Sequence, residues 1–108
     1  MPVSSLAGQR EAVLITRVTN WCLNNCRIVG QFGSSQSCYN LPLPKPTVRG
    51  PDASVVLTAR WNTLSTNEQA EAFPRVAPNF VAEIRSDNDS WEYCHNKMLV
   101  YMVDEGIN

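Results

Sequence analysis

Two acidic side chains lie in stretches of the sequence that are otherwise apolar. Asp52 directly precedes the apolar stretch 53–57, and Glu83 lies within the apolar stretch 80–84. A carboxylate buried in such a stretch costs several kcal/mol to desolvate unless it is paired or binds a cation. The two acids together therefore indicate a metal site.

The chemistry that fits such a site is phosphodiester hydrolysis. Carboxylates that hold Mg²⁺ can help neutralise phosphate charge and activate a water molecule. Neighbouring strands lie about 4.8 Å apart, so Asp52 and Glu83 could share one hard cation if their strands pair. A nearby lysine would stabilise the developing charge. Lys97 is the only lysine after Lys45, and it flanks the apolar stripe of a predicted terminal helix.

The elements that must position these residues are two strands and two helices. Residues 51–57 and 79–85 are predicted strands, and the second is expected inside the sheet because it has almost no polar face. Apolar residues at helical spacing predict a supporting helix over 8–24 and a terminal helix over about 90–105.

The segments between these elements complete the predicted order α-β-β-β-(α)-β-α. Glycine and serine break residues 27–42 as in a hairpin of two strands, and three prolines predict a loop over 42–49. Ser65 and Glu68 have the spacing of a capping box, which predicts a short helix from Leu64 to Phe73. The sequence therefore indicates an α/β or α+β sandwich.

Length and composition limit the possibilities further. The chain has 108 residues, so we expect one domain over 1–108, and its net charge of −1 argues against a protein that coats nucleic acid by bulk electrostatics. Basic residues concentrate before residue 61 and acidic ones after it. No apolar run could span a bilayer or act as a signal, which predicts a soluble, cytoplasmic protein without membrane partners.

The cysteines are expected to be free thiols. The chain has four, but no pair has the CxxC spacing of a zinc site, and nothing else in the sequence indicates secretion. Buried cysteine usually behaves as a small hydrophobic residue. We therefore predict neither disulfides nor zinc.

The stretch from Phe32 to Gly106 resembles the Uma2 (Uma-two) family of restriction endonucleases, which belongs to the PD-(D/E)xK phosphodiesterase superfamily. The resemblance covers most of the chain, with its parts in the same order as in the family. The matching segments are Gly33-Ser34-Ser35, residues 48–54, Arg60-Trp61 with Leu64-Ser65, residues 78–86, and Lys97-Met98 followed by Tyr101.

The resemblance implies a restriction-endonuclease-like α/β core, a small mixed β-sheet flanked by helices. It also implies a metal-dependent endonuclease that hydrolyses phosphodiester bonds in nucleic acid, DNA in particular. Asp52 and Glu83 would then hold Mg²⁺ or Mn²⁺, joined by the backbone carbonyl of Ile84. The superfamily usually has a lysine two residues after the second acid, where this chain has Arg85. Many Uma2 members carry it on the following helix instead, which indicates Lys97, with Arg85 as the substitute.

Two further expectations come from the same resemblance. The superfamily often has another acid on its first helix, where Glu11 is the candidate. Family members also have an N-terminal extension and a closing strand after the segment matching Gly106. Without these, we expect an incomplete domain that pairs as a homodimer, or a catalytically inactive nuclease-fold remnant that acts only in binding or association.

Structural alternatives exist for single residues. Asp52 could be a turn residue after proline, and Glu83 could form a buried ion pair with Arg49, Arg60 or Arg85. Lys97 could be a solvated helix residue. Trp61, in a predicted loop beside Arg60, could stack on a nucleobase.

Overall fold

The computed structural model describes residues 5–84. The elements follow the order α1 (Ser5–Asn24), β1 (Val29–Ser34), β2 (Tyr39–Leu41), β3 (Thr47–Arg49), β4 (Ala53–Leu57), α2 (Thr58–Trp61), α3 (Thr66–Gln69) and β5 (Phe80–Ala82). The predicted α/β class is confirmed, and it agrees with a restriction-endonuclease-like fold. None of these helices combines the length and the hydropathy that crossing a bilayer requires.

The principal sheet has three strands in the order β1-β4-β5, and both of its strand pairs are antiparallel. β4 is central, and four of its five residues are buried. Its β-branched valines suit a strand that is covered on both faces. In the β4–β5 pair, Ala53 lies opposite Ala82 and Val55 lies opposite Phe80. This register brings the residues that follow β5 to the beginning of β4.

The main core lies on one face of this sheet. A second antiparallel pair, β2–β3, contributes Tyr39 and Leu41, which pack with Val56 from β4. Val76 and Ala77, from the segment before β5, complete the cluster. Each of these residues is almost fully buried. We call this side of the principal sheet the core face.

Helix α1 packs on the opposite side, which we call the α1 face. Val18 and Trp21 of α1 meet Val55, Leu57 and Phe80 of the sheet around an apolar cleft. The packing there is looser, because Trp21 is 47% exposed and Phe80 is 49% exposed. The two faces of one small sheet are therefore covered by different elements and to different degrees.

Two of the predicted segments are wrong in detail. The hairpin predicted over 27–42 does not form, because β1 pairs with β4 and β2 pairs with β3. Thr47–Arg49 is a strand, although the prolines before it predicted a loop over 42–49. β3 begins directly after Pro46 and pairs with β2 alone, so no proline has to donate a hydrogen bond within the ladder.

Helix lengths also differ from the prediction. The capping box at Ser65 and Glu68 is present, but α3 ends at Gln69, well before Phe73. Helix α2 was not predicted. Strand β5 has one neighbour among the strands within residues 5–84, so the interior strand there is β4. The predicted helix over 90–105 lies outside the described residues.

Candidate functional site

The β4–β5 ladder is extended at both ends by side chains that accept backbone hydrogen bonds. At one end the Leu57 N–H donates to Asn79 Oδ1 over 2.9 Å, and at the other the Ile84 N–H donates to Asp52 Oδ2 over 2.6 Å. Both bonds lie outside the three-residue strand β5 (Phe80–Ala82). They fix the position of β5 along β4 and hold the segment 83–84 against the start of β4.

Asp52 takes this role because of the residues around it. Pro51 is fully buried. Because proline has no backbone N–H, Pro51 cannot donate a hydrogen bond to the ladder at this position. The Asp52 carboxylate, half-buried at the beginning of β4, accepts the Ile84 N–H in place of a main-chain oxygen. Asp52 is thus more than a turn residue after proline, because its side chain joins two strands.

Glu83 lies next to this bond. Extending the β4–β5 register by one pair beyond Ala53 and Ala82 places Glu83 opposite Asp52. Residues opposite each other in an antiparallel pair project from the same face, and period-two alternation assigns both acids to the core face with Ser54. Glu83 is half-buried and its Oε1 atom is fully buried. The strands that the two acids adjoin therefore pair, and the shared cation site stays a prediction.

The donor atoms at this position suit a hard cation. Two carboxylates and the neighbouring backbone carbonyl of Ile84 are oxygen ligands, as Mg²⁺ and Mn²⁺ prefer. Within residues 5–84, no three side chains of His, Cys, Asp or Glu cluster closely enough to hold a metal. Glu11, on α1, forms no such cluster with Asp52 and Glu83. Within residues 5–84, any further ligand would therefore be a backbone carbonyl.

The turn before Asp52 is packed closely against the segment that connects β1 to β2. A Cβ atom added at Gly50 would lie 2.7 Å from Cys38 Sγ and 3.5 Å from the Ser35 carbonyl oxygen. Real Cβ atoms do not approach that closely, so position 50 requires glycine for space. Close packing of the 35–38 segment against Gly50 therefore fixes the position of the Gly50-Pro51-Asp52 segment.

A buried hydroxyl pair lies on the same face, two residues along β4 from Asp52. Tyr39 Oη and Ser54 Oγ share a hydrogen bond of 2.7 Å, and both residues are almost completely buried. Burial raises the pKa of the Tyr39 phenol, and the hydrogen bond from Ser54 offsets part of that rise. Tyr39 therefore stays neutral and fixes the orientation of Ser54 next to the acidic pair.

The remaining predicted site residues lie elsewhere. Lys97 and Arg85 are outside the described residues. Arg49 donates to its neighbour's carbonyl at Val48, and Arg60 donates to the Ala77 carbonyl. Trp61 is the last residue of α2 and not part of a loop. Cys22, Cys26 and Cys38 are free thiols, as expected.

Sequence reasoning missed three residues that build the site. The sequence predicts Asn79 only as the first residue of a strand, although Asn side chains commonly hydrogen-bond to the backbone near turns. Tyr39 and Ser54 gave no signal, because their contact joins residues 15 positions apart through the fold. Only knowledge of the strand pairing could have brought them together.

A helix packed on a small antiparallel sheet is consistent with the class of restriction-endonuclease-like α/β domains. The sequence matches the profile of the Uma2 family, described as "Putative restriction endonuclease", over residues 1–108. The chain belongs to this family. Membership indicates a nuclease that acts on nucleic acid, and related nucleases generally depend on a divalent metal. A search of curated proteins gave no match.

Proposed function

We propose that this protein is a metal-dependent endonuclease, a single domain that hydrolyses phosphodiester bonds in DNA. The observation that carries the proposal is the hydrogen bond of 2.6 Å from the Ile84 N–H to Asp52 Oδ2, together with the β4–β5 register, whose last pair, Ala53 opposite Ala82, directly adjoins both acids. Family membership supplies the reaction class. The two acids supply a place where that reaction could occur.

Asp52, Glu83 and the Ile84 carbonyl would hold the cation, with Mg²⁺ or Mn²⁺ as the expected ion. A bound divalent cation would supply charge neutralisation for the phosphate and help ionise the attacking water. The chain itself contributes rigidity. The Ile84 N–H donates a hydrogen bond to Asp52 Oδ2, which orients the carboxylate. The other oxygen, Oδ1, would then be the atom that coordinates the cation. Burial of Glu83 Oε1 keeps bulk water from part of the second carboxylate.

A cationic side chain would complete the site by stabilising the charge that develops on the phosphate. Lys97 is proposed for this role, with Arg85 as its substitute, on the basis of the family pattern. The chain offers a matched control, because its only other lysine, Lys45, lies in the exposed proline-rich segment before β3. Lys97→Ala is expected to lower the cleavage rate at least tenfold, whereas Lys45→Ala leaves it unchanged.

The proposal is tested by incubating the purified full chain with supercoiled plasmid DNA and with RNA, in Mg²⁺, in Mn²⁺ and in EDTA. We expect nicked and linear DNA in the presence of either metal and intact plasmid in EDTA. Asp52→Asn and Glu83→Gln keep the shape and hydrogen-bonding oxygens of the side chains but remove the charge. Each is expected to reduce cleavage by more than the roughly 10- to 100-fold that loss of an outer-shell partner costs.

Glu68→Gln is the matched control for these variants. It removes one negative charge from an exposed glutamate, and glutamine can still accept the Ser65 N–H of the capping box. Cleavage by Glu68→Gln should equal that of the wild type. Metal-dependent cleavage that survives both Asp52→Asn and Glu83→Gln contradicts the site assignment. A wild-type chain that binds DNA but never cleaves it contradicts the activity and favours the inactive, binding-only alternative.

A further inference from the structure

A small polar cavity opens on the core-face side of the sheet. Its volume is about 170 Å³, and its walls come from β1, the 36–39 segment, α2, and the stretch from α3 to Pro74. Sites for drug-sized ligands are larger, roughly 300 Å³ or more. The cavity therefore has room for one planar ring system and not for a whole nucleotide.

The charges around the cavity exclude an anion as its ligand. Among the described residues that line it, Glu71 is the only charged side chain. A phosphate or carboxylate would be repelled by Glu71 and would find no cation to compensate. The ligand should thus be uncharged and able to form hydrogen bonds.

Side-chain amides provide those hydrogen bonds. Gln31, Gln36 and Gln69 all line the cavity, and each amide carries both donors and an acceptor. Gln69 Nε2 already donates to the Trp61 carbonyl over 3.0 Å, which holds this side chain in the wall. Gln31 Nε2 makes only a long contact of 3.5 Å with the Phe32 carbonyl. Gln31, half-buried on β1, therefore has an amide that is available to a ligand. The paired donor and acceptor of a glutamine amide match the edge of a nucleobase.

Trp61 adds an aromatic surface to the same cavity. Its position is fixed by the irregular pairing of β1 between Val29 and Gln31, where a Cβ atom added at Gly30 would lie 2.5 Å from Trp61 Cβ. Glycine at this position lets the indole pack directly against the strand. A fixed indole beside side-chain amides is the combination that proteins use to stack and hydrogen-bond an unpaired base.

Two residues that line the cavity also contact residues near the beginning of β4. Cys38 and Tyr39 line it, and both contact the β4 side of the site: Cys38 Sγ packs against Gly50, and Tyr39 Oη bonds to Ser54 Oγ. Ser54 is two residues from Asp52, a spacing of about 7 Å along a strand. A base in the cavity would thus belong to a nucleotide near the phosphate at Asp52.

We infer that this cavity, which we call the glutamine pocket (Gln31, Gln36, Trp61 and Gln69), binds one unpaired nucleobase of the substrate strand. The base stacks on Trp61 and pairs with the Gln31 amide. The inference deepens the proposed nuclease function, because it assigns the substrate contact beside the acidic pair. It also restricts the substrate to single-stranded nucleic acid or to a duplex from which a base can be flipped out.

The test uses the neutral nucleoside of 2-aminopurine, whose fluorescence is quenched when the base stacks on an aromatic ring. The full chain is titrated into this nucleoside in EDTA, so that neither phosphate nor metal contributes. We expect saturable quenching by the wild type. Gln31→Met keeps the side-chain length and removes the amide, so it should weaken binding about 5- to 100-fold. Gln9→Met, on exposed α1, is the matched control and should leave binding unchanged.

Trp61 is tested by a pair of aromatic substitutions. Trp61→Leu should weaken binding about 5- to 100-fold, whereas Trp61→Phe, which keeps an aromatic face, should restore most of it. Trp21→Leu, which alters the cleft on the α1 face, should bind like the wild type. Thermal unfolding of each variant establishes that the protein tested is folded.

The outcomes separate this inference from the proposed function. Absence of saturable quenching, or equal loss in Gln31→Met and Gln9→Met, overturns the glutamine pocket even if the wild type cleaves DNA. Nucleoside binding with the expected pattern of variants, combined with no cleavage of any nucleic acid, supports the pocket and contradicts the nuclease. Asp52→Asn should bind the nucleoside as the wild type does, because the acid does not line the pocket.

Discussion

The two faces of the principal sheet differ in what they could do chemically. The α1 face holds the larger cleft, about 440 Å³, but its walls are almost wholly apolar side chains such as Val18, Trp21 and Phe80. The core face holds a cavity of about 170 Å³, the buried Tyr39–Ser54 pair and the two acids. The larger cavity and the two acids are therefore on opposite sides of the sheet.

The difference follows from what covers each face. A single helix, α1, lies across one side and leaves large aromatic residues half-exposed. On the other side, the β2–β3 pair and the 74–78 segment enclose the hydroxyl groups of Tyr39 and Ser54, which form a hydrogen bond with each other. Defined partners are what orients a catalytic carboxylate.

The largest effect is expected from metal binding at the acidic pair. At about 100 times its dissociation constant, Mn²⁺ should stabilise the folded wild type by about 2.7 kcal/mol. For a domain of this size, that is a rise of about 10–20 °C in Tm. Asp52→Asn should abolish the rise, and Phe80→Ala on the α1 face should retain it. An equal Mn²⁺ shift in Asp52→Asn would show that the cation binds elsewhere.

The next effect concerns the buried hydroxyl pair. Ser54→Ala leaves the Tyr39 hydroxyl buried without its partner, which should cost about 1–3 kcal/mol in the free energy of unfolding. The double variant with Tyr39→Phe should cost less than the sum of the single changes, because neither polar group then remains. Urea unfolding of the wild type, the two single variants and the double variant gives the coupling energy between Tyr39 and Ser54. Additive losses would mean that the 2.7 Å bond contributes nothing to stability.

A smaller difference is expected between matched valines. Val56 is fully buried on the core face, whereas Val13 on α1 is 46% exposed. Val56→Ala should lower the free energy of unfolding by about 2 kcal/mol, from lost burial and a residual cavity. Val13→Ala should change it by less than about 0.5 kcal/mol. Similar losses in both variants would contradict the looser packing described for α1.

The smallest effect is a dependence on alkaline pH. Because burial raises the pKa of Tyr39 above its ordinary value of 10.0, the unfolded chain loses this proton first as pH rises. The contribution of the neutral Tyr39 phenol to the free energy of unfolding is therefore complete below about pH 10. It is lost as pH rises through the folded-state pKa of Tyr39. Urea unfolding between about pH 8 and about pH 11 should show a shallower decline for Tyr39→Phe than for the wild type. Parallel declines would contradict a buried, neutral Tyr39.

The acidic pair could be predicted because its signal is local. A carboxylate next to an apolar run is visible at Asp52 and again at Glu83, and the family resemblance supplied the order of the surrounding segments. The capping box at Ser65 and Glu68 was predictable for the same reason, since all of its atoms lie within four residues. Such features depend on neighbouring residues and not on the rest of the fold.

Strand pairing could not be predicted in the same way. Glycine and serine between β1 and β2 fit a hairpin, yet β1 pairs with β4, some 20 residues further along the chain. β2 instead pairs with β3, and the prolines at 42, 44 and 46 predicted a loop where β3 lies. Partner choice depends on which apolar faces can be buried together, and Tyr39, Leu41 and Val56 meet only in the complete fold.

The bond from Ile84 to Asp52 has an evolutionary consequence. Because this carboxylate also fastens the end of β5, the position cannot lose its side-chain oxygen without weakening the sheet. Asparagine keeps the acceptor and removes the charge, whereas alanine removes both. Given the proposed metal-binding role of Asp52, a lineage that loses nuclease activity but keeps the fold should therefore change from Asp to Asn at position 52 and rarely to Ala. Asparagine at position 52 of a relative would therefore indicate that the relative has lost the proposed activity.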